Sequence, residues 1–133
     1  MRGLVSIYNI ILMAEHNEIG KIGERIALEY LEKHGYAILD TNWRYGHHEV
    51  DIVAYLEGVI VFVEVKTRTS TIFGNPEDAV DTSKQRIYIR MANKYVIQHQ
   101  RFEEVRFDII SIVFHNLSDV KLIHLRNAFN TIN

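Results

Sequence analysis

The clearest pattern in the chain is a pair of alternating apolar arms in residues 49–68, E-V-D-I-V-A-Y-L-E-G-V-I-V-F-V-E-V-K-T-R. Val, Ile, Phe and Tyr dominate both arms, and Glu57-Gly58 separates them, which predicts two strands joined as a hairpin. With Leu56 opposite Val59, the register places Asp51 opposite Glu64 and Glu49 opposite Lys66. Strand side chains alternate between faces, so these four emerge together. On the other face Val50, Ile52 and Ala54 meet Val65, Val63 and Val61, and both faces read as buried.

Residues 17–34 follow a different period. Ile19, Ile22, Ile26, Ala27, Tyr30 and Leu31 recur at helical spacing and predict an amphipathic helix that ends at Gly35. Gly20, Gly23 and Ala27 form a stripe of small residues beside the apolar face, with Glu24 at its border. The stripe lets the helix approach a sheet closely and aims Glu24 at it; the plainer alternative is a solvated glutamate. Residues 36–40 and 42–44 read as a short, kinked strand. Pro76 is a candidate first helical residue after the loop of residues 69–75. Thr82-Ser83-Lys84-Gln85 reads as a capping box. Ile87, Tyr88, Met91, Ala92, Tyr95 and Val96 then mark a second amphipathic helix to about residue 98. Lys84 projects near its apolar side, towards the sheet. Strands are predicted at residues 105–114 and 120–125. The expected fold is α/β, a mixed central sheet flanked by helices in the order α-β-β-β-α-β-β.

The 133 residues suit one domain with a real core, expected over residues 13–133. Residues 1–12, apolar after one Arg, are too short to span a membrane and lack a small-x-small cleavage site. They read as an extension upstream of the natural start or a short extra strand, and a cytoplasmic location without membrane attachment is expected. The absence of cysteine excludes disulfides, zinc–thiolate sites and a cysteine nucleophile. A net charge of −2 means that any nucleic-acid affinity must come from a local basic cluster. Ser111 has no accompanying His-Asp set, so serine hydrolysis is unsupported. His47 and His48 are adjacent and would point to opposite faces of a regular strand, so they read as loop histidines. The tyrosines of the second helix read as core.

Two carboxylates directly opposite one another in a sheet destabilise it unless something neutralises them. A hard divalent cation held by carboxylate oxygens would do so. The alternative is a polar sheet edge with solvated charges.

Asp51 followed by Glu64-Val65-Lys66, after a helix carrying Glu24, resembles the PD-(D/E)XK nuclease core of the restriction-endonuclease-like superfamily. Within it the chain resembles the YraN-type family of bacterial proteins. The resemblance runs from Asn17-Glu18-Ile19-Gly20 and Gly23-Glu24 through Phe62-Val63-Glu64-Val65-Lys66-Thr67-Arg68, Phe73-Gly74 and Lys84 to Arg106-Phe107-Asp108. His48 departs from it, standing where Gly is expected. Archaeal Holliday-junction resolvases are similar in the same motif.

The resemblance implies a metal-dependent phosphodiesterase cutting DNA. Asp51 and Glu64 would hold Mg²⁺ or Mn²⁺ with the Val65 carbonyl as a third ligand, and Glu24 would complete the shell. Lys66 would orient the attacking water or stabilise charge in the transition state, and Glu49 is accessory. Arg44, Arg68 and Lys84 are candidates for phosphate contacts, since a guanidinium fork matches phosphate oxygens. The competing reading is a non-catalytic nucleic-acid-binding or protein-interaction module on the same fold. Junction-cutting relatives act as two-fold dimers, so the resemblance raises a homodimer. The apolar residues 4–12 and the strand Leu122-Ile123-His124-Leu125 offer edges for pairing.

Overall fold

The structure is a computed structural model that describes residues 16–69, 78, 80–116 and 118–130. The extension over residues 1–12, Pro76 and most of the loop over residues 69–75 lie outside the described residues. Helix α1 (His16–Lys33) is followed by strands β1 (Ala37–Tyr45), β2 (His48–Leu56) and β3 (Val59–Arg68), helix α2 (Thr82–Gln98), and strands β4 (Glu104–Asn116) and β5 (Asp119–Phe129). The five strands form one sheet in the order β1-β2-β3-β4-β5. All neighbours pair antiparallel except β3 and β4, which are parallel and joined through α2. The predicted element order holds.

Local chemistry sets the ends. Gly35, at φ +89°, closes α1: its N–H donates to Glu32 O and the Tyr36 N–H donates to Leu31 O, the paired bonds of a Schellman end. The N-cap of α2 is Asp81, one residue before the predicted capping box, because its carboxylate accepts the Lys84 N–H at 2.9 Å. Gln85 instead donates to the Val80 carbonyl. Glu57 and Gly58 both have positive φ, the conformation that matches a two-residue turn to strand twist.

Each sheet face packs on one helix. Ile52, Ala54, Val61, Val63 and Val65 meet Ala27 and Leu31 of α1. Val53, Ile60, Phe62 and Phe107 meet Tyr88, Met91, Ala92 and Tyr95 of α2. Val50 lies in this second cluster, not with Ile52 and Ala54 as strict alternation predicts. Two irregularities on the neighbouring strand accompany the change. β1 is bulged between Ile38 and Asp40, and Asn42 is left-handed at φ 49°.

The small-residue stripe places α1 against β3. A Cβ added at Gly23 would lie 1.8 Å from Thr67 Oγ1 and 3.0 Å from Thr67 Cβ. Gly23→Ala is therefore expected to lower stability by about 1–3 kcal/mol in urea unfolding, despite alanine's better helix propensity. Thr67→Ala in that background should recover part of the loss. Equal stability of Gly23→Ala and wild type would show that the two elements separate freely.

β5 is tied down by a buried polar network. Asp108 is fully buried and accepts two bonds from Arg106, at 2.9 and 2.8 Å, and one from the Asn127 N–H. His124 Nε2 lies 2.7 Å from the same carboxylate, and His124 Nδ1 lies 3.0 Å from the Tyr30 hydroxyl of α1. Burial by itself would raise the Asp108 carboxyl. The bonds from His124, Arg106 and Asn127 outweigh it and hold the group below the ordinary carboxylate range.

Candidate active site

Pairing between β2 and β3 runs from Leu56↔Val59 to Ile52↔Val63 and stops there. The predicted register is therefore correct but ends one step short of Asp51 and Glu64. Where the ladder ends, the Asp51 carboxylate takes over from a backbone acceptor: its Oδ2 receives the Val65 N–H at 2.8 Å. Asp51 thus sits in the opening between the two strands. From there it reaches Glu64 and lines a groove against α1.

Glu64 is 7% exposed. Its Oε2 accepts the Tyr88 hydroxyl at 3.0 Å and lies 2.7 Å from Lys84 Nζ. α2 therefore supplies both a neutral donor and a cation to this carboxylate. The Tyr88 hydroxyl is raised well above its ordinary value, first by burial and then by the charges of Glu64 and Asp51, so it remains a donor.

Asp51 and Glu64 are a like-charged pair in a poorly solvated place. Burial first, then the Glu64 charge and a hydrogen bond shared with it, push the Asp51 carboxyl up to about 8; Glu24 adds a smaller push and the Val65 N–H opposes. The raised Asp51 carboxyl favours its protonated form, and one proton does the neutralising that two adjacent carboxylates require.

The groove at Asp51, ≈ 610 Å³, is lined by Gly20, Lys21, Glu24, Asn42, Arg44, Glu49, Asp51 and Val65. A second hollow of ≈ 410 Å³ shares Lys21, Glu24, Asn42 and Asp51 and continues along α1 over Arg25 and Leu28. Asn42 donates to Glu24 Oε1 at 2.9 Å, so the left-handed residue of β1 fixes the helix carboxylate.

Of the residues singled out in the sequence, Asp51 and Glu64 are in contact, and Glu24, Glu49, Arg44 and Val65 share the groove with Asp51. Arg44 and Glu49 form a rim pair at 3.5 Å with Arg44 largely exposed, a geometry of small energetic weight. Lys66 is exposed on β3, and Arg68 is half-buried near its end. The cation on Glu64 is Lys84, a residue read from the sequence as a phosphate contact. His47 and His48 are both exposed at the hairpin tip. Tyr88, Asn42 and Lys21 were missed. Lys21 carried a signal, since it adjoins Gly20 and stands three residues before Glu24; the other two depend on how distant elements dock.

The donor set is oxygen-only and suits a hard cation. Among the described residues no group of three or more His, Asp or Glu side chains is drawn together as a metal-binding cluster. Among the same residues no helix is long and apolar enough to cross a membrane.

Residues 23–112 match the uncharacterised protein family UPF0102. A UPF0102 protein of Bacteroides thetaiotaomicron is 50% identical over 117 residues, covering 88% of this chain and 96% of the relative. One from Flavobacterium psychrophilum is 45% identical over 117 residues, covering 88% and 98%. One from Porphyromonas gingivalis is 45% identical over 118 residues, covering 88% and 87%. With more than half its length matched and relatives aligned almost end to end, the chain belongs to the UPF0102 family.

Proposed function

We propose that this protein is a metal-dependent endonuclease that hydrolyses phosphodiester bonds in DNA, with branched or structured DNA as its substrate. The observation that carries this reading is the Asp51–Glu64 pair. Two carboxylates in contact at the end of a strand ladder, one of them, Asp51, raised in pKa and lining a groove, are a like-charged arrangement that costs the fold stability. The element order, and a helix carboxylate at the same groove, agree with the PD-(D/E)XK core that the sequence resembles.

Asp51 and Glu64 would hold Mg²⁺ or Mn²⁺, with the Val65 carbonyl as a further oxygen ligand. When bound, such a cation polarises the scissile phosphate and makes a coordinated water acidic. The chain's own residues do the rest. Asp51 would release its proton to water in the groove to serve as such a ligand. Tyr88 and Lys84 hold Glu64 in one orientation from the α2 side. Glu24, fixed by Asn42, orients water in the groove. Lys66, two residues beyond Glu64 on the same strand, stabilises charge developing on the phosphate.

A second reading, a nucleic-acid-binding module without catalysis, is favoured by one observation: Lys84 already occupies an oxygen of Glu64. A panel of labelled substrates, including four-way junctions, flaps, single strands and duplexes, separates the two. Cleavage with Mg²⁺ or Mn²⁺ is expected, lost in Glu64→Ala and reduced about 10²-fold or more in Lys66→Ala. Binding without cleavage under either metal would favour the module. Cleavage unchanged in both variants would place the chemistry elsewhere.

A further inference from the structure

We infer that an unpaired DNA strand runs along the exposed basic row of α2 and stacks a base on Tyr45 at the end of β1. The nature of the occupant rests on the nucleic-acid reading above. The path and the preference for unpaired bases are additional to it.

The first observation is charge. α2 carries Lys84, Arg86, Arg90 and Lys94 and no Asp or Glu, in a chain whose net charge is −2. Arg86, Arg90 and Lys94 are all exposed and follow one another at i, i+4 and i+8, so they form a row on one side of the helix. Like charges at that spacing repel, and α2 has no acid of its own to balance them. A polyanion laid along the row would. Arg86, the first member of the row, lies two residues and about 200° round the helix from Lys84, the residue on Glu64, and the last member, Lys94, stands over Tyr45. Arg86 and Lys94 are eight helical positions apart, about 12 Å along the helix.

The second observation is the aromatic at the far end. Tyr45 is 48% exposed on a paired strand residue beside the Gly46 turn, with Lys94 Nζ 5.5 Å from its ring centroid. Its ring is held rigidly from below. Trp43 lies 6.2 Å away at 25°, and Trp43 packs edge-on against Tyr95 at 5.1 Å. Tyr95 in turn donates its hydroxyl to Asp40 at 3.0 Å. Arg44, the preceding residue, lines the groove with Asp51. An exposed aromatic beside a cation and backed by a packed ring is an arrangement that takes a nucleobase by stacking, largely independent of sequence. A base inside a duplex cannot present its face in this way, so the platform selects unpaired or splayed strands.

Binding is tested by anisotropy with labelled oligo(dT) and with a blunt duplex, in metal-free buffer so that nothing is cut. Oligo(dT) is expected to bind more tightly than the duplex and to quench the fluorescence of Trp43, the protein's one tryptophan. Tyr45→Ala should weaken oligo(dT) binding about tenfold or more and leave duplex binding and the salt slope unchanged. Arg90→Glu and Lys94→Glu, both at exposed positions, should weaken both ligands and flatten the dependence on salt. Equal affinity of wild type and Tyr45→Ala for oligo(dT) would overturn the platform, and an unchanged salt slope in the charge reversals would overturn the path. A cleavage assay of the wild type with Mg²⁺ or Mn²⁺ separates this inference from catalysis. If the wild type cuts none of the substrates while oligo(dT) binding still depends on Tyr45 and the basic row, the strand path stands and the nuclease reading fails.

Discussion

Asp51→Asn is expected to make the protein more stable at pH 8 while abolishing cleavage. The amide retains an oxygen for the Val65 N–H and offers Glu64 an N–H in place of the acid proton. Unlike the acid, it has no proton to lose. In the wild type the Asp51 carboxyl is raised from 3.8 to about 8 by burial and by Glu64. Between those values the folded chain holds a proton that the unfolded chain has released, so stability falls as pH rises across that window. The asparagine variant lacks this slope. The two proteins should match near pH 4 and differ at pH 8 and above by on the order of 2–5 kcal/mol, the variant being the more stable. Mg²⁺ should recover stability at high pH in the wild type only, because cation and proton compete for the same oxygens. Urea unfolding from pH 4 to 9, with and without Mg²⁺, measures both effects. Parallel pH profiles for the two proteins would mean that Asp51 and Glu64 share no proton.

Asp108→Ala is expected to cost about 3–5 kcal/mol, the usual penalty for leaving a buried charge without its partner. Asp108 receives two bonds from Arg106, one from the Asn127 N–H and one from His124, and it is fully buried. Its removal leaves the Arg106 guanidinium, whose side chain is 18% exposed, with the Tyr36 hydroxyl as its remaining partner in this network. It also cuts the link from β4 through His124 to Tyr30 of α1. Asp108→Asn keeps one acceptor and should lose less. A loss below about 1 kcal/mol in the alanine variant would show that the network fixes geometry without holding the fold together.

Much of this architecture was legible in one dimension. Period-2 and helical spacings located both helices and all five strands, because burial of one face imposes those periods on any sequence. Glu57-Gly58 set the hairpin register, which runs from Leu56↔Val59 to Ile52↔Val63 and brings Asp51 to the vicinity of Glu64. The stripe of Gly20, Gly23 and Ala27 foretold a close approach of α1, and Gly23 does lie against Thr67.

Alternation assumes a regular strand, and the site lies where regularity ends. The β1 bulge, the left-handed Asn42 and the stop in the β2–β3 ladder accompany the move of Val50 to the α2 side and turn Asp51 into the opening. Lys66 looked like the cation of the site because it is two residues from Glu64. Lys84 holds that carboxylate instead, because docking of α2 across the sheet joins residues that are distant along the chain. The same holds for Tyr88 on Glu64, Asn42 on Glu24 and His124 between Asp108 and Tyr30. The sequence by itself determined which elements form and which two carboxylates meet, since both follow from local periodicity and one tight turn. Only the tertiary structure decided which side chains neutralise, orient and bury those carboxylates, since long-range packing leaves no period in the sequence.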